Sequence, residues 1–177
     1  MAHSIELLLD PDTEAAIRRS WDALADAALP SPAAVKSPTN RPHVTLAVAD
    51  RIAPDVDGVL TPLSLRLPFR CRIGAPLLFG GSTFTLARLV VPSTELLSVH
   101  AHVHRLSLRH LLPGPGAHTL PGQWTPHVTL TRRLAPPDLA RALDVVSTTG
   151  ELDGTVVGLR RWDGDSRVDY LLAGSAG

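Results

Sequence analysis

Polar and apolar residues alternate in the same five-residue run at two places in the chain, Pro42-His43-Val44-Thr45-Leu46 and Pro126-His127-Val128-Thr129-Leu130. Alternation with period two marks a strand with one buried face. It puts His43 and Thr45 on one face against Val44 and Leu46 on the other, and repeats this for His127 and Thr129 against Val128 and Leu130. Proline suits the first position of each run, where a missing N–H is tolerated. The approach to each run is also repeated. An apolar run, at residues 5–9 and again at 84–91, is followed by a helical stretch and then by a loop rich in proline, at 30–42 and at 113–126. The same order of strand, helix, loop and motif strand points to an internal duplication.

Helical spacing fills the intervals. Asp10 is placed to cap a first helix, with Pro11 at its first position and Asp12 and Glu14 in its first turn. Ile17, Trp21, Leu24 and Ala28 form its apolar stripe, and Pro30 stops it. A second helix starts near Ser93. Leu96, Val99, Val103 and Leu106 share its buried face, Arg105 and Arg109 lie opposite, and Pro113-Gly114-Pro115-Gly116 ends it. A third starts at residues 136–138 and carries Leu139, Ala142, Leu143 and Val146. Further strands are expected at 63–67, 70–78, 154–160 and 167–173, with Trp162-Asp163-Gly164-Asp165 turning between the last two.

Composition narrows the class. A chain of 177 residues with 44% hydrophobic and 19% charged residues can bury a core, and is neither disordered nor collagen-like. Aromatics are 4%, so that core is mostly Leu, Val and Ala. No apolar run approaches the roughly 20 residues of a membrane span, and the acidic start lacks the basic region of a secretory signal. Cys71 is the only cysteine, which excludes an internal disulfide and a cysteine-rich zinc site. The expectation is a soluble, cytoplasmic monomer. Formal net charge is zero, yet residues 66–133 hold eight arginines against the single acid Glu95. Such a basic middle suits a phosphate-bearing ligand, and suits a solvated surface equally.

Two histidines on facing strands are what in-line phosphodiester chemistry needs: a neutral imidazole to take a proton from the attacking oxygen, and a charged one to give a proton to the leaving oxygen. A hydroxyl two residues beyond each histidine can donate to the phosphoryl oxygens. With His43-Val44-Thr45-Leu46 and His127-Val128-Thr129-Leu130, the sequence resembles the 2H phosphoesterase superfamily, which includes the 2′-5′ RNA ligase-like proteins and the cyclic phosphodiesterases. The resemblance spans nearly the whole chain. It implies an α+β fold of two pseudo-symmetric lobes, with antiparallel-rich sheets flanked by helices and a central cleft, formed by residues 1–177 as a single bilobal domain. It also implies His43 and His127 as the acid/base pair and Thr45 and Thr129 as phosphate donors, without saying which histidine is acid and which base. The expected activity is metal-independent cleavage of a 2′,3′-cyclic phosphate or a 2′-5′ linkage, reversible as ligation, with an RNA end or a small nucleotide as partner and no cofactor.

Neighbouring residues extend the candidate site. Arg41 precedes the first motif. After the second, continued alternation puts Thr131 and Arg133 on the cleft side and Arg132 opposite, so Arg133 is the expected phosphate ligand, or else a strand-end arginine in solvent. Trp124 either stacks a nucleobase or plugs the loop beneath it. Two rival readings are a non-catalytic RNA- or nucleotide-binding module, and a metal hydrolase using His100 and His104 at helical spacing.

Overall fold

The computed structural model describes residues 2–175. In chain order its elements are β1 (His3–Leu9), α1 (Pro11–Asp26), β2 (His43–Ala49), β3 (Arg51–Ile52), α2 (Val56–Leu60), β4 (Phe69–Gly80), β5 (Phe84–Val90), α3 (Thr94–Ser107), β6 (Leu111–Leu112), β7 (His127–Leu134), α4 (Leu139–Ser147), β8 (Leu152–Asp163) and β9 (Val168–Gly174). The fold is α+β. Seven strands form one antiparallel sheet in the order β2-β1-β8-β4-β5-β7, with β9 paired to β8, and β3 pairs with β6 beside it. The duplication is visible in this order: β2-β1 at one end mirrors β7-β5 at the other. The long strands β4 and β8 join the halves, each pairing with the other along Phe69–Ile73 and Leu152–Val156. No helix among the described residues is long and apolar enough to cross a membrane.

The first helix forms for the reasons its sequence gives. Asp10 Oδ1 accepts from the amides of Asp12 and Thr13, and Ile17, Trp21 and Leu24 are buried. It ends at Asp26, however, short of Pro30. Ala28 leaves the stripe at φ 56° and is exposed, and Leu29 takes the buried place. The Ser93 hydroxyl caps α3 at Leu96, and Leu96, Val99, Val103 and also His100 are buried along it. Residues 136–138 form a 3-10 turn that leads into α4, whose Ala142 and Val146 face the core. The strand expected at 63–67 is instead the 3-10 turn Thr61–Arg66. Pro62 lies at its start, and the buried residues Leu60 and Leu63 fall three apart, the period of such a turn, while Leu65 is left exposed.

Candidate active site

The sheet curls until its two end strands, β2 and β7, touch, which sets the two motifs face to face. Both strands carry the same irregularity. Ile5 pairs with Ala47 but Glu6 with Thr45, which skips Leu46; Leu86 pairs with Thr131 but Ala87 with Thr129, which skips Leu130. A bulge of this kind shifts the following residues to the other face. The alternation expected beyond Thr129 therefore fails. Thr131 is fully buried and donates its hydroxyl to the Pro30 carbonyl at 2.5 Å. Arg132, not Arg133, lines the cavities that hold the motifs. Arg133 turns outward at φ 58° and is exposed.

The histidines are held alike. His43 Nδ1 lies 2.7 Å from the carbonyl oxygen of Arg41, and His127 Nδ1 lies 2.7 Å from that of Thr125. A carbonyl only accepts, so Nδ1 is the donor in each ring and Nε2 is left for chemistry. The hydroxyls of Thr45 and Thr129 bond no other group among the described residues, which leaves them available to a ligand. Two indoles lock the strands across the cleft. Trp21 of α1 donates Nε1–H to the Thr129 carbonyl at 3.0 Å, and Trp124, just before β7, donates to the Thr45 carbonyl at 2.9 Å. Each tryptophan thus ties its own half of the molecule to the middle of the opposite motif strand.

The environments of the two histidines differ. His127 packs against the Phe79 ring at a centroid distance of 4.7 Å. Burial pushes its pKa below the ordinary imidazole value, and the cations of Arg132 and His43 push the same way against the Thr125 carbonyl. His43 Nε2 instead lies 3.4 Å from the Glu6 carboxylate. Glu6 is 3% exposed, accepts from Arg160 Nε at 2.8 Å and takes the Ser4 hydroxyl at 2.5 Å. Burial works to raise its pKa, but His43, Arg160 and Ser4 outweigh this and hold it ionised below the usual carboxylate range.

Two cavities meet at the motifs. A small one of about 180 Å³ is lined by His43, Thr129, Arg41, Arg132 and Trp21. A larger one of about 810 Å³ continues past Thr45, Thr129, Arg132 and His127 to Phe79 and Trp124. Arg41 is held by Glu14, whose Oε2 accepts from its Nε at 2.9 Å. Trp124 stacks on His100 at 3.9 Å and 6° and also lines the larger cavity, so it is both plug and wall. His100 is buried and its Nε2 bonds the Thr119 carbonyl at 2.9 Å, which makes it a support for Trp124 and not half of a His100–His104 ligand pair. Among the described residues the group spaced to hold a metal is His3, Asp163 and Asp165, at the start of β1 and the β8–β9 turn.

The structure therefore brings His43, His127, Thr45, Thr129, Arg41 and Trp124 around one cleft and leaves Arg133 outside it. Sequence reasoning missed Glu6, Trp21, Phe79 and Arg132. Glu6 had a signal, as the one acid inside the apolar run of β1.

The model of the 2′-5′ RNA ligase superfamily matches residues 11–166, a span that includes both motifs. No curated protein sequence matches the chain. Among solved structures, Kluyveromyces marxianus Usb1 with uridine monophosphate is similar at 12% identity and a TM-score of 0.51, with 97% of each chain covered. Escherichia coli LigT complexed with 3′-AMP is similar at 14% identity and a TM-score of 0.54, covering 96% of this chain and 91% of that one. A structure described as a phosphoesterase is similar at 14% identity and a TM-score of 0.54, covering 97% and 98%. At these identities the likeness establishes the fold.

Proposed function

The chain belongs to the 2′-5′ RNA ligase superfamily of 2H phosphoesterases, and on that premise we propose that it cleaves a phosphodiester of RNA or a nucleotide, either a 2′,3′-cyclic phosphate or a 2′-5′ linkage, by proton transfer between His43 and His127. The observation that carries this reading is the matched pair of Nδ1 bonds, 2.7 Å to Arg41 O and 2.7 Å to Thr125 O, which aims two imidazoles of one tautomer at one cleft. The phosphate sits where the two cavities meet, at Thr129 and Arg132, which line both, with Thr45 on the side of the larger one and the nucleoside within that one between Phe79 and Trp124. In cleavage of the 2′-5′ linkage, His127, half-buried beside cations, is the neutral base that takes the proton of the attacking ribose hydroxyl at Nε2. His43, beside the Glu6 carboxylate, gives its Nε2 proton to the leaving oxygen. Run backwards, the same two transfers join a cyclic phosphate to a hydroxyl. In hydrolysis of the cyclic phosphate the two rings exchange roles. No step uses a metal.

The test is a panel of 2′,3′-cyclic nucleotides and 2′-5′-linked dinucleotides assayed with chelator, with the product isomer identified. Turnover in chelator supports the reading. Tight nucleotide binding without turnover makes the protein a binding module, and activity restored only by added metal makes it another class of enzyme.

Two further outcomes are expected. The ascending limb of kcat/KM against pH reports the base, which must be neutral to act. Because the pKa of His127 is lowered, that limb lies below about 6.5, the ordinary imidazole value. A pH–rate profile of a 2′-5′-linked substrate checks this, and an ascending limb above neutrality assigns the base elsewhere. Arg132→Ala removes a charged hydrogen bond to phosphate, worth about 1.5–3 kcal/mol, or a roughly 10–100-fold loss in kcat/KM. Arg133→Ala, outside the cleft, leaves kcat/KM within about twofold. Equal losses in the two variants overturn the assignment.

A further inference from the structure

The two halves of the sheet have diverged in what lies beside their motifs. In the second half Thr129 pairs with Ala87, and Ala87 with Leu77, so the row crossing the sheet is apolar. In the first half the matching row runs from Thr45 to Glu6 to Arg160, and is charged. Two residues along β8 from Arg160, on the same face, stands Trp162, opposite Ser4. A third cavity, of about 450 Å³, opens over this row on the flank of His43. Its walls come from the proline-rich loop, through Lys36 and Arg41, and from the end of β8 and its turn, through Arg160, Trp162 and Arg167.

The cations around this cavity divide into paired and available ones. Arg160 is spent on Glu6 and Asp169, and Arg41 on Glu14. Lys36 bonds only the Ala33 carbonyl, and Arg167 stands exposed; among the described residues neither has a carboxylate partner. The Trp162 indole N–H has no partner among the described residues either. The cavity therefore offers an aromatic ring and two uncompensated cations, in a space that is also lined by the histidine that protonates the leaving oxygen.

We propose that this cavity is a subsite for the nucleotide on the leaving side of the scissile phosphate, with its base on Trp162 and its next phosphate on Lys36 and Arg167. The inference rests on the acid/base reading of His43 and His127 and narrows the substrate to a linear RNA linkage with a nucleotide on each side. In the step, the ribose hydroxyl vicinal to the 2′-5′ linkage attacks phosphorus and its proton passes to His127 Nε2. The bond from phosphorus to the 5′ oxygen of the second nucleoside breaks, and that oxygen takes the proton of His43 Nε2. The products are a 2′,3′-cyclic phosphate held at Trp124 and a 5′-hydroxyl nucleotide held at Trp162. A phosphate on the 3′ end of the second nucleoside reaches Lys36 and Arg167.

The experiment compares 2′-5′-linked adenylyl-adenosine, with and without a 3′-terminal phosphate, against 2′,3′-cyclic AMP. Base–aromatic stacking is worth a factor of about ten in kcat/KM. Trp162→Ala is expected to lose that factor on the dinucleotides and to lose far less on the cyclic nucleotide, which has no leaving-side base. Arg167→Asn keeps a residue that tolerates the left-handed backbone seen there, φ 59°. It is expected to reduce the preference for the 3′-phosphorylated dinucleotide, which Lys36 alone then carries, and to flatten the salt dependence of its KM. Equal losses on cyclic and linear substrates, or none, overturn the subsite. Absence of turnover on all three substrates overturns the catalytic reading instead. Calorimetric binding of the phosphorylated dinucleotide to wild type, Trp162→Ala and Arg167→Asn then still decides the subsite: unchanged affinity rejects it, and weakened affinity supports it.

Discussion

His43→Ala and His127→Ala each slow turnover of the accepted phosphodiester by about 10²–10⁴-fold, because each removes a positioned proton donor or acceptor. The double variant is scarcely slower than the worse single one, since the two rings act as one device and half of it does little alone. Folding survives both changes. Each ring is only half-buried, and the carbonyl it leaves, of Arg41 or of Thr125, sits at the cleft where water can replace the lost donor. Single-turnover rates, with thermal melts of the same preparations, check this. Wild-type rates in either variant, once folded, rule out the two-histidine mechanism. Loss of the fold in one variant only would give that histidine a structural role.

The duplication makes half of this site legible in the sequence itself. A repeated pentapeptide carries its periodicity with it, so the inward faces of His43, Thr45, His127 and Thr129 follow from period two alone. The same periodicity misplaced Arg133, because a bulge leaves no local mark in Leu130-Thr131-Arg132 that distinguishes it from a regular strand. Trp21 was visible as a core residue of α1, and it is one, at 4% exposed. That its indole nitrogen crosses to Thr129 depends on β2 and β7 meeting, and pairing over that sequence distance is not encoded in any local pattern. Arg160 and Glu6 show the same limit. Each is an ordinary charged residue in its own strand, and only the β1–β8 register, which sets them opposite each other, makes them a buried pair.

Glu6→Ala costs about 3 kcal/mol of stability, at the lower end of what breaking a buried ion pair costs, because Arg160 keeps Asp169 and the Thr39 carbonyl as partners. The pH dependence follows from the direction of the Glu6 shift. Its folded pKa is depressed, so its contribution to stability is fully present above the ordinary carboxylate value and is lost as pH falls through the lower folded value. The stability gap between wild type and Glu6→Gln should therefore be widest near neutrality and close in acid, where both chains carry an uncharged group beside Arg160. Urea denaturation of wild type, Glu6→Gln and Glu6→Ala at pH 7 and again below pH 4 measures it. A gap that stays constant with pH means that Glu6 contributes through shape and hydrogen bonding alone. A gap that closes, with the activity of Glu6→Gln reduced at pH 7 while the protein remains folded, places the carboxylate in both roles at once: it neutralises Arg160 within the sheet and orients the His43 ring through the 3.4 Å contact with its Nε2.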